Sequence, residues 1–514
     1  MNCDFFLVSP MNSIYIKKIL QARVYDVAEK TRLDYATNLS QRVNNHIWIK
    51  REDTQPVFSF KIRGAYNKIA NLPKDVLAKG VIAASAGNHA QGVALSAQKL
   101  GIPATIVMPK TTPEIKVAAV RRYGAEAILH GSTYDDASQY AQRLVKELGL
   151  SYIHPYDDVD VIAGQGTIGM EILQQHTGNL DAIFIPVGGG GLIAGMAAYI
   201  KYLRPEIKII GVEPDDAGCL HAALKADERV ILEQVGIFAD GVAVKQIGKL
   251  PFEIARDYVD EVLLASTDEI CAAIKDIFDE TRRIMEPAGA LALAGLKQYI
   301  ARENCTGLQL ATITSGANMS FDRLAYVAER TEIGEKREAL IAVTIPERPG
   351  SFREFCHVIG QRVITEFNYR YADDGQAHVF AGLRLTEGLE EKDILINKLN
   401  EKEYPVVDLT DNEMAKAHIR HMVGGHPPHL LNERLYRFEF PERPGALLHF
   451  LTSMGQRWNI SLFHYRNHAA AYGRILVGIQ VADSQLSEFQ TFLDKLGYPY
   501  WDEAKNPAYH LFLN

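Results

Sequence analysis

Apolar and polar positions alternate along residues 45–330 in a way that predicts two kinds of element. Short runs rich in β-branched residues recur between longer segments with helical periodicity, and such runs are typical of buried strands. The runs that predict strands are residues 81–85, 104–108, 125–129, 182–187, 207–212 and 310–315. Strands that alternate with helices form largely parallel sheets, so this region is predicted to be an α/β domain.

The pattern changes at a charged stretch, residues 329–338, and an internal repeat follows it. The motif P-E-R-P-G begins at Pro346 and again at Pro441, and residues 346–362 match residues 441–457 at nine positions. Each copy predicts a strand (340–345 and 436–440), a P-G turn, a helix and further strands, an arrangement of about 70 to 80 residues. The predicted domains are therefore residues 1–330, 339–411 and 432–514, and the two smaller ones are interpreted as a duplicated small-molecule sensor.

Composition excludes several classes of partner. Of the 514 residues, 47% are hydrophobic and 23% are charged, which is typical of a soluble globular protein. A formal net charge of −8 leaves no basic surface for nucleic acid. No uncharged apolar run approaches the about 20 residues that cross a membrane, so neither nucleic acid nor a membrane is an expected partner.

Cysteine usage indicates a reducing compartment. The five cysteines form no C-x-x-C pair, and their odd number argues against a complete disulfide framework. The apolar run at residues 5–8 is too short for a signal sequence. We therefore expect a cytoplasmic protein with no metal site.

A lysine at the start of a predicted helix is the first candidate for chemistry. The segment S-F-K-I-R-G-A, residues 59–65, contains Lys61. A lysine amine forms a Schiff base with an aldehyde cofactor, and burial lowers its pKa toward the reactive neutral form. Taken alone, Lys61 is more simply interpreted as a surface lysine, so its role depends on the other motifs.

A glycine-rich loop connects the predicted strand 182–187 to a helix. Its residues are Gly188, Gly189, Gly190, Gly191 and Leu192. Backbone N–H groups at a helix start complement a phosphate, and glycines let the anion approach closely. A turn without a ligand needs fewer glycines, so a phosphate site is predicted.

The same loop fits a dinucleotide-binding pattern, G-x-G-x-x-A. Glu213 lies at the end of the next predicted strand, where a ribose-binding acid would lie. An NAD-dependent oxidoreductase is therefore the alternative. That alternative leaves a second loop, residues 85–92, without a role.

This second loop, S-A-G-N-H-A-Q-G, also begins a helix. N–H groups around Gly87 suit a carboxylate, and Asn88 is a neutral hydrogen-bonding group. The predicted substrate-binding residues are Ser85, Gly87, Asn88 and His89. Ser85 and Asn88 are alternatively plain helix caps.

Two further motifs lie at predicted element ends. T-S-G-A-N, residues 314–318, includes Ser315 at the end of a strand, where small polar residues meet a ligand. E-P-A-G-A, residues 286–290, places proline at the first position of a helix, so Glu286 is assigned no chemical role.

In their order along the chain, these motifs and G-Q-G-T at residues 164–167 resemble the fold-type II family of pyridoxal-phosphate (PLP) enzymes. S-F-K with S-G-A-N is similar to the serine and threonine dehydratases of that family. The two repeats resemble the paired ACT-like regulatory subdomains of biosynthetic threonine deaminases. The implied fold is α/β: a tryptophan-synthase-β-like catalytic domain with two parallel-type sheets, plus two α+β ACT-like subdomains.

The resemblance implies roles for individual residues. Lys61 would form the Schiff base with PLP and remove the α-proton of the substrate, and the glycine loop would hold the phosphate. Asn88 would contact the ring hydroxyl, Ser315 the pyridine nitrogen, and Phe60 would pack beside the ring.

The implied activity is β-elimination and deamination of L-threonine, and also of L-serine, with 2-oxobutanoate and ammonia formed from threonine. This is the first committed step of isoleucine biosynthesis. Isoleucine is the implied inhibitor and valine the implied activator, with Tyr369 and Tyr465 as predicted effector-binding residues in matched repeat positions. A homotetramer is also implied. A catalytically silent amino-acid sensor is the other alternative, disfavoured because Lys61 and both loops are intact.

Overall fold

The computed structural model describes most of the chain. Continuous ranges are residues 10–346, 376–421 and 472–513, and between them it describes 354, 355, 358–360, 362, 364–371, 432–441, 449, 450, 453, 454 and 457–466. The chain folds into two compact units, of which the first ends at Phe321 and the second begins at Asp322. The P-E-R-P-G motifs start at described prolines, but their other residues lie outside the described ranges.

The described part of the first unit is built on two sheets. Their strands are β1 Leu33–Tyr35, β2 His46–Lys50, β3 Val81–Ala84, β4 Ala104–Met108, β5 Glu126–Leu129, β6 Ser151–Tyr152, β7 Ala182–Pro186, β8 Lys208–Pro214, β9 Glu261–Ala265 and β10 Gln309–Ile313. One sheet has the order β1-β2-β10-β7-β8-β9 and is parallel except for the edge strand β1. The other, β5-β4-β3-β6, is parallel throughout. The predicted α/β class with two parallel-type sheets is confirmed.

Helices connect these strands. They are α1 Pro10–Leu20, α2 Thr37–Val43, α3 Lys61–Ala70, α4 Lys74–Leu77, α5 Asn88–Leu100, α6 Glu114–Arg121, α7 Tyr134–Leu148, α8 Val159–Gln175, α9 Gly191–Leu203, α10 Cys219–Ala226, α11 Lys249–Tyr258, α12 Thr267–Thr281 and α13 Pro287–Glu303. Short 3₁₀ helices cover Glu52–Thr54 and Asp240–Val242. Among the described residues, no helix combines the length and apolar character needed to cross a bilayer.

The G-Q-G-T motif serves helix packing. A Cβ atom added to Gly164 in α8 would lie 2.7 Å from the carbonyl oxygen of Arg63 in α3. Such a distance is far below ordinary van der Waals contact, so the absence of a side chain lets the two helices approach closely. The motif therefore lets α3, which begins at Lys61, pack closely against α8.

The second unit contains two sheets with the same topology. Its strands are β11 Glu338–Pro346, β12 Ile364–Tyr371, β13 Gln376–Arg384, β14 Val406–Asp408, β15 Glu433–Pro441, β16 Asn459–Arg466, β17 Tyr472–Gln480 and β18 Tyr500–Asp502. The antiparallel orders are β12-β13-β11-β14 and β16-β17-β15-β18. Its helices include α14 Leu324–Gly334, α15 Leu389–Glu401, α16 Glu413–Ala417, α17 Leu486–Leu496 and α18 Pro507–Phe512. The duplicated α+β architecture is confirmed.

Candidate active site

The carboxyl ends of neighbouring parallel strands bring two of the motifs to one sheet edge. β7 and β10 are adjacent and parallel. The glycine loop follows β7, and residues 314–318 follow β10. Ligands of open α/β sheets bind outside this edge, so its location is that expected of an active site.

Backbone contacts hold Lys61 beside the end of β10. Ser59 forms an isolated antiparallel bridge with Gly316. The Phe60 N–H donates to the carbonyl of Ser315 at 3.2 Å. The Lys61 N–H donates to the Ser59 hydroxyl at 3.3 Å as α3 begins. The lysine motif and the S-G-A-N motif, more than 250 residues apart in the chain, therefore form one site.

The Lys61 amine is in a desolvated position. Its Nζ donates to the carbonyl of Pro155 at 3.1 Å and lies 5.3 Å from the centre of the Phe60 ring. Desolvation by burial lowers the pKa of Lys61 to about 8, against a smaller opposing effect of the Glu286 carboxylate. Because the ordinary lysine pKa is about 10.4, a larger fraction of this amine is neutral near pH 7.

Three separate motifs meet at the Asn88 side chain. Its Nδ2 donates to Glu286 Oε1 at 2.5 Å, and its Oδ1 accepts from Asn318 Nδ2 at 2.6 Å. Glu286 is 5% exposed. A Cβ atom on Gly316 would lie 2.2 Å from Glu286 Oε1, so this glycine makes room for the carboxylate. The arrangement fixes which way the Asn88 amide points.

Glu286 is the site residue that sequence reasoning missed. It is the N-cap of α13, yet its side chain makes no capping hydrogen bond. The residue type could have revealed this role, because N-cap residues are usually serine, threonine, aspartate or asparagine, and glutamate is not among them. A glutamate before proline at a helix start was therefore a reason to look for another partner.

Ser315 offers a neutral hydroxyl. It is 3% exposed, and its Oγ donates to the carbonyl of Ala288 at 3.1 Å. Ala288 belongs to the E-P-A-G-A motif, so this contact joins the end of β10 to the start of α13. A hydroxyl rotates about its C–O bond, so Ser315 can donate the same proton to another acceptor in place of the Ala288 carbonyl.

The glycine loop has no room for side chains. A Cβ atom on Gly189 would lie 2.1 Å from the Tyr156 ring, and one on Gly190 would lie 2.5 Å from Ile247 Cδ1. Gly190, with φ of 87°, is the N-cap of α9. Gly191 and Leu192 begin that helix, and the first N–H groups of a helix have no intrahelical acceptor. The loop thus presents backbone N–H groups at a positive helix end.

Glu213 is not available to a ribose. Its two carboxylate oxygens accept the N–H groups of Leu220 and His221, each at 2.8 Å. The residue is fully buried, and burial raises its pKa to about 7. The acid that supported the NAD alternative therefore contributes to the fold of the first unit.

The start of α5 is open in front of Gly87. A Cβ atom added there would meet nothing within 4 Å. Gly87 is the N-cap, so neither Ser85 nor Asn88 has the capping position considered for it. The Ser85 hydroxyl accepts the Gly87 N–H at 3.2 Å. This helix end has space for a small anion.

His89, predicted to bind substrate, faces the protein interior. It is 3% exposed, and its Nε2 contacts the carbonyl of Ile153 at 2.8 Å. Burial lowers the pKa of His89 to about 3, so the ring is neutral and donates from Nε2. Its Nδ1 has no hydrogen-bond partner among the described residues.

The predicted effector residues lie on matched strands. Tyr369 of β12 is opposite Val379, and Tyr465 of β16 is opposite Ile475. Both side chains lie outside the described residues. The equivalence of the two backbone positions is established, and effector binding stays a prediction.

Comparisons with known proteins agree with this geometry. Residues 24–316 match the family described as pyridoxal-phosphate dependent enzyme. Residues 329–419 and 424–513 each match the C-terminal regulatory domain of threonine dehydratase. The fold and the site thus define a PLP-dependent enzyme with a duplicated regulatory domain.

Relatives match over the full length. The chain is 56% identical to the biosynthetic L-threonine dehydratase IlvA of Burkholderia multivorans, covering 97% of this chain and 99% of the relative. It is 53% identical to the Escherichia coli protein of the same description, covering 98% of each. The processed form of threonine deaminase isoform 2 from Solanum lycopersicum is 48% identical, with a TM-score of 0.63 over 63% of this chain and 90% of that structure. The chain belongs to the biosynthetic threonine dehydratase family.

Proposed function

We propose that this enzyme uses PLP to eliminate water from L-threonine and that hydrolysis of the product then releases ammonia, giving 2-oxobutanoate for isoleucine biosynthesis. The observation that carries the proposal is the convergence of Lys61, Ser315 and the glycine loop at one sheet edge. Full-length relatives named biosynthetic threonine dehydratase support the substrate and the pathway. L-serine, one methyl group smaller, is proposed as a second substrate, because a methyl group provides only about 1–3 kcal/mol of discrimination.

The residues at this edge fit PLP. Gly188, Gly189, Gly190, Gly191 and Leu192 are buried and present backbone N–H groups, as a phosphate requires, and the four glycines leave no room for a side chain. Lys61 would hold the aldehyde carbon, and Phe60 would lie beside the ring. Asn88 would contact the ring hydroxyl through an amide held by Glu286, and Ser315 would contact the pyridine nitrogen.

When bound, PLP supplies an electron sink that acidifies the α-hydrogen of an amino acid. Lys61 would be set free when the substrate amine takes its place on the cofactor, and its neutral Nζ, oriented by the Pro155 carbonyl, would then accept that proton. Gly87 and Ser85 at the open start of α5 bind the substrate carboxylate, with Asn88 and His89 completing the loop. The Ser315 hydroxyl, unlike a carboxylate, would not keep the ring nitrogen protonated, and this would favour loss of the β-hydroxyl over transamination.

We propose that residues 1–330 catalyse the reaction and that residues 339–411 and 432–514 bind its regulators. The match of both latter segments to a threonine dehydratase regulatory domain supports amino-acid effectors. Isoleucine as inhibitor and valine as activator would act by binding different conformations of these subdomains, near Tyr369 and Tyr465. The family resemblance also supports a cytoplasmic homotetramer.

Isoleucine at millimolar concentration should inhibit 2-oxobutanoate formation from threonine, and valine should restore it. Tyr369→Leu or Tyr465→Leu should weaken the inhibition, because each removes a phenol from one of two equivalent positions. The measurement is 2-oxobutanoate formation by the full chain with each effector. No 2-oxobutanoate from threonine would contradict the catalytic proposal, whereas an enzyme indifferent to isoleucine would contradict only the regulatory one.

Capture of PLP by the apoprotein should accelerate with rising pH, with a midpoint near pH 8. Only the neutral amine attacks the aldehyde, and the pKa of Lys61 is lowered to about 8 by desolvation, so the neutral fraction grows as the pH passes that value. An ordinary lysine would place the midpoint about two units higher. The rate at which the visible absorption of lysine-bound PLP appears measures this. A rate that still rises steeply above about pH 10 would show that the amine is solvated.

A further inference from the structure

Buried ion pairs fix the start of α3. Arg63, two residues after Lys61, donates from Nε and Nη2 to the two carboxylate oxygens of Glu52, both at 2.8 Å. It also donates from Nη1 and Nη2 to Glu171 at 2.6 and 3.0 Å. The Lys50 Nζ donates to Glu171 at 2.6 Å. These four charged side chains are 0% exposed and balance in sign, so the cluster is neutral.

The residue after Glu52 holds the end of β10. The Asp53 N–H donates to the carbonyl of Thr314 at 2.9 Å, and the Thr314 hydroxyl donates to Asp53 Oδ1 at 2.7 Å. Arg51 donates from Nε and Nη2 to both Asp53 oxygens, at 2.9 and 2.8 Å. Thr314 directly precedes Ser315, so a displacement of Thr314 displaces the proposed partner of the pyridine nitrogen.

These contacts form a closed series that links α3, the 3₁₀ helix and the end of β10, and this series is called the contact ring. Glu52 holds Arg63 and thereby the start of α3, while Asp53 holds Thr314 and thereby the end of β10. The 3.2 Å backbone hydrogen bond between the residue before α3 and the end of β10 completes the contact ring. Both carboxylates belong to the three-residue 3₁₀ helix Glu52–Thr54, so they do not move independently.

Buried ion pairs are a poor means of stabilising a fold, because the desolvation of each charge cancels most of the attraction. They do fix geometry, since paired guanidinium and carboxylate groups are directional. A cluster that joins the two halves of an active site is therefore better explained by the geometry it imposes than by stability.

We propose that Glu52 and Asp53 are positioning residues that set the separation between Lys61 and Ser315. The inference rests on the proposed roles of those two residues in holding PLP. Neither carboxylate contacts the cofactor in this proposal, and each acts through its partner, Arg63 or Thr314.

Thr314→Val tests the proposal without removing a charge. It deletes the hydroxyl that donates to Asp53 and keeps the side-chain volume. Loss of a hydrogen bond to a charged group should raise the dissociation constant for PLP and lower kcat, each by about tenfold. Thr314→Ser keeps the hydroxyl and should recover most of both. The readouts are PLP binding to the apoprotein by titration of the visible absorption, and 2-oxobutanoate formation.

Substitution of two comparable buried carboxylates distinguishes an effect on the position of the site residues from an effect on the stability of the fold. Asp53→Asn is compared with Asp276→Asn, because Asp276 is 2% exposed and pairs with Arg42 and Lys297 outside the contact ring. Both variants should lower the unfolding temperature of the apoprotein, and only Asp53→Asn should weaken PLP binding. Equal PLP binding by Thr314→Val and Thr314→Ser, or equal weakening by the two asparagine variants, would overturn the proposal. If the unmodified enzyme does not bind PLP through Lys61, the proposed function fails instead.

Discussion

Lys61→Ala should remove covalently held PLP and lower the rate of threonine elimination by about a thousandfold, the scale on which a positioned general base contributes. The structure supports this because the Lys61 amine is desolvated, with a pKa lowered to about 8, and is aimed by the Pro155 carbonyl. Formation of 2-oxobutanoate measures the rate. Borohydride reduction followed by denaturation shows whether PLP stays attached to the chain.

Lys68→Ala is the control for this substitution. Lys68 lies on the same helix, but it pairs with Asp158 at 2.7 Å instead of contributing to the site. This variant should keep the cofactor and the activity. If Lys61→Ala still carried reducible, chain-bound PLP, another lysine would be the attachment point and the assignment would be wrong.

Gly190→Val should raise the dissociation constant for PLP at least tenfold, equivalent to about 1.4 kcal/mol. Gly190 has φ of 87°, a conformation unfavourable for valine, and its added Cβ would lie 2.5 Å from Ile247 Cδ1 and 2.8 Å from Pro251 Cβ. The loop must therefore move, which withdraws its N–H groups from a phosphate. Titration of the apoprotein with PLP measures the effect.

Gly101→Val is the control that distinguishes the steric clash at Gly190 from the backbone strain that valine causes at any position with a positive φ. Gly101 also has a positive φ, 67°, but a Cβ atom there meets nothing within 4 Å. It ends α5, far along the helix from the loop that begins it. Similar PLP binding by the two valine variants would indicate that the glycine run is only a turn.

Elements with a strong local pattern could be predicted from the sequence. Each of the six strands predicted between residues 45 and 330 is present, with ends that differ by at most two residues. Strands β1, β2, β6 and β9 were not predicted, because strands of two to five residues with partly exposed positions carry only a short apolar pattern. The repeat was recognisable because duplicated sequence records a duplicated fold, and β12 and β16 even share a register shift near their starts.

Among the site residues, too, only those with a local sequence pattern could be predicted. Lys61 and the glycine loop could be singled out in the sequence, because the predicted Schiff-base lysine and the predicted phosphate-binding helix start each depend on a few consecutive residues. The partners of Asn88 could not be predicted, because Glu286 and Asn318 are 198 and 230 residues away along the chain. For Glu213 the local pattern was misleading. Its sequence position suited a ribose-binding acid, but its partners in the structure are two helix N–H groups.

The sequence by itself thus determined the class of cofactor and the duplication of the regulatory domain, and it predicted a phosphate site in the glycine loop. The tertiary structure decided which way the Asn88 amide points, how far the pKa of Lys61 is lowered and how α3 is held against the end of β10. These properties depend on desolvation and on hydrogen bonds between distant segments, such as that between Asp53 and Thr314. No local pattern encodes them, because they arise only when packing brings those segments together.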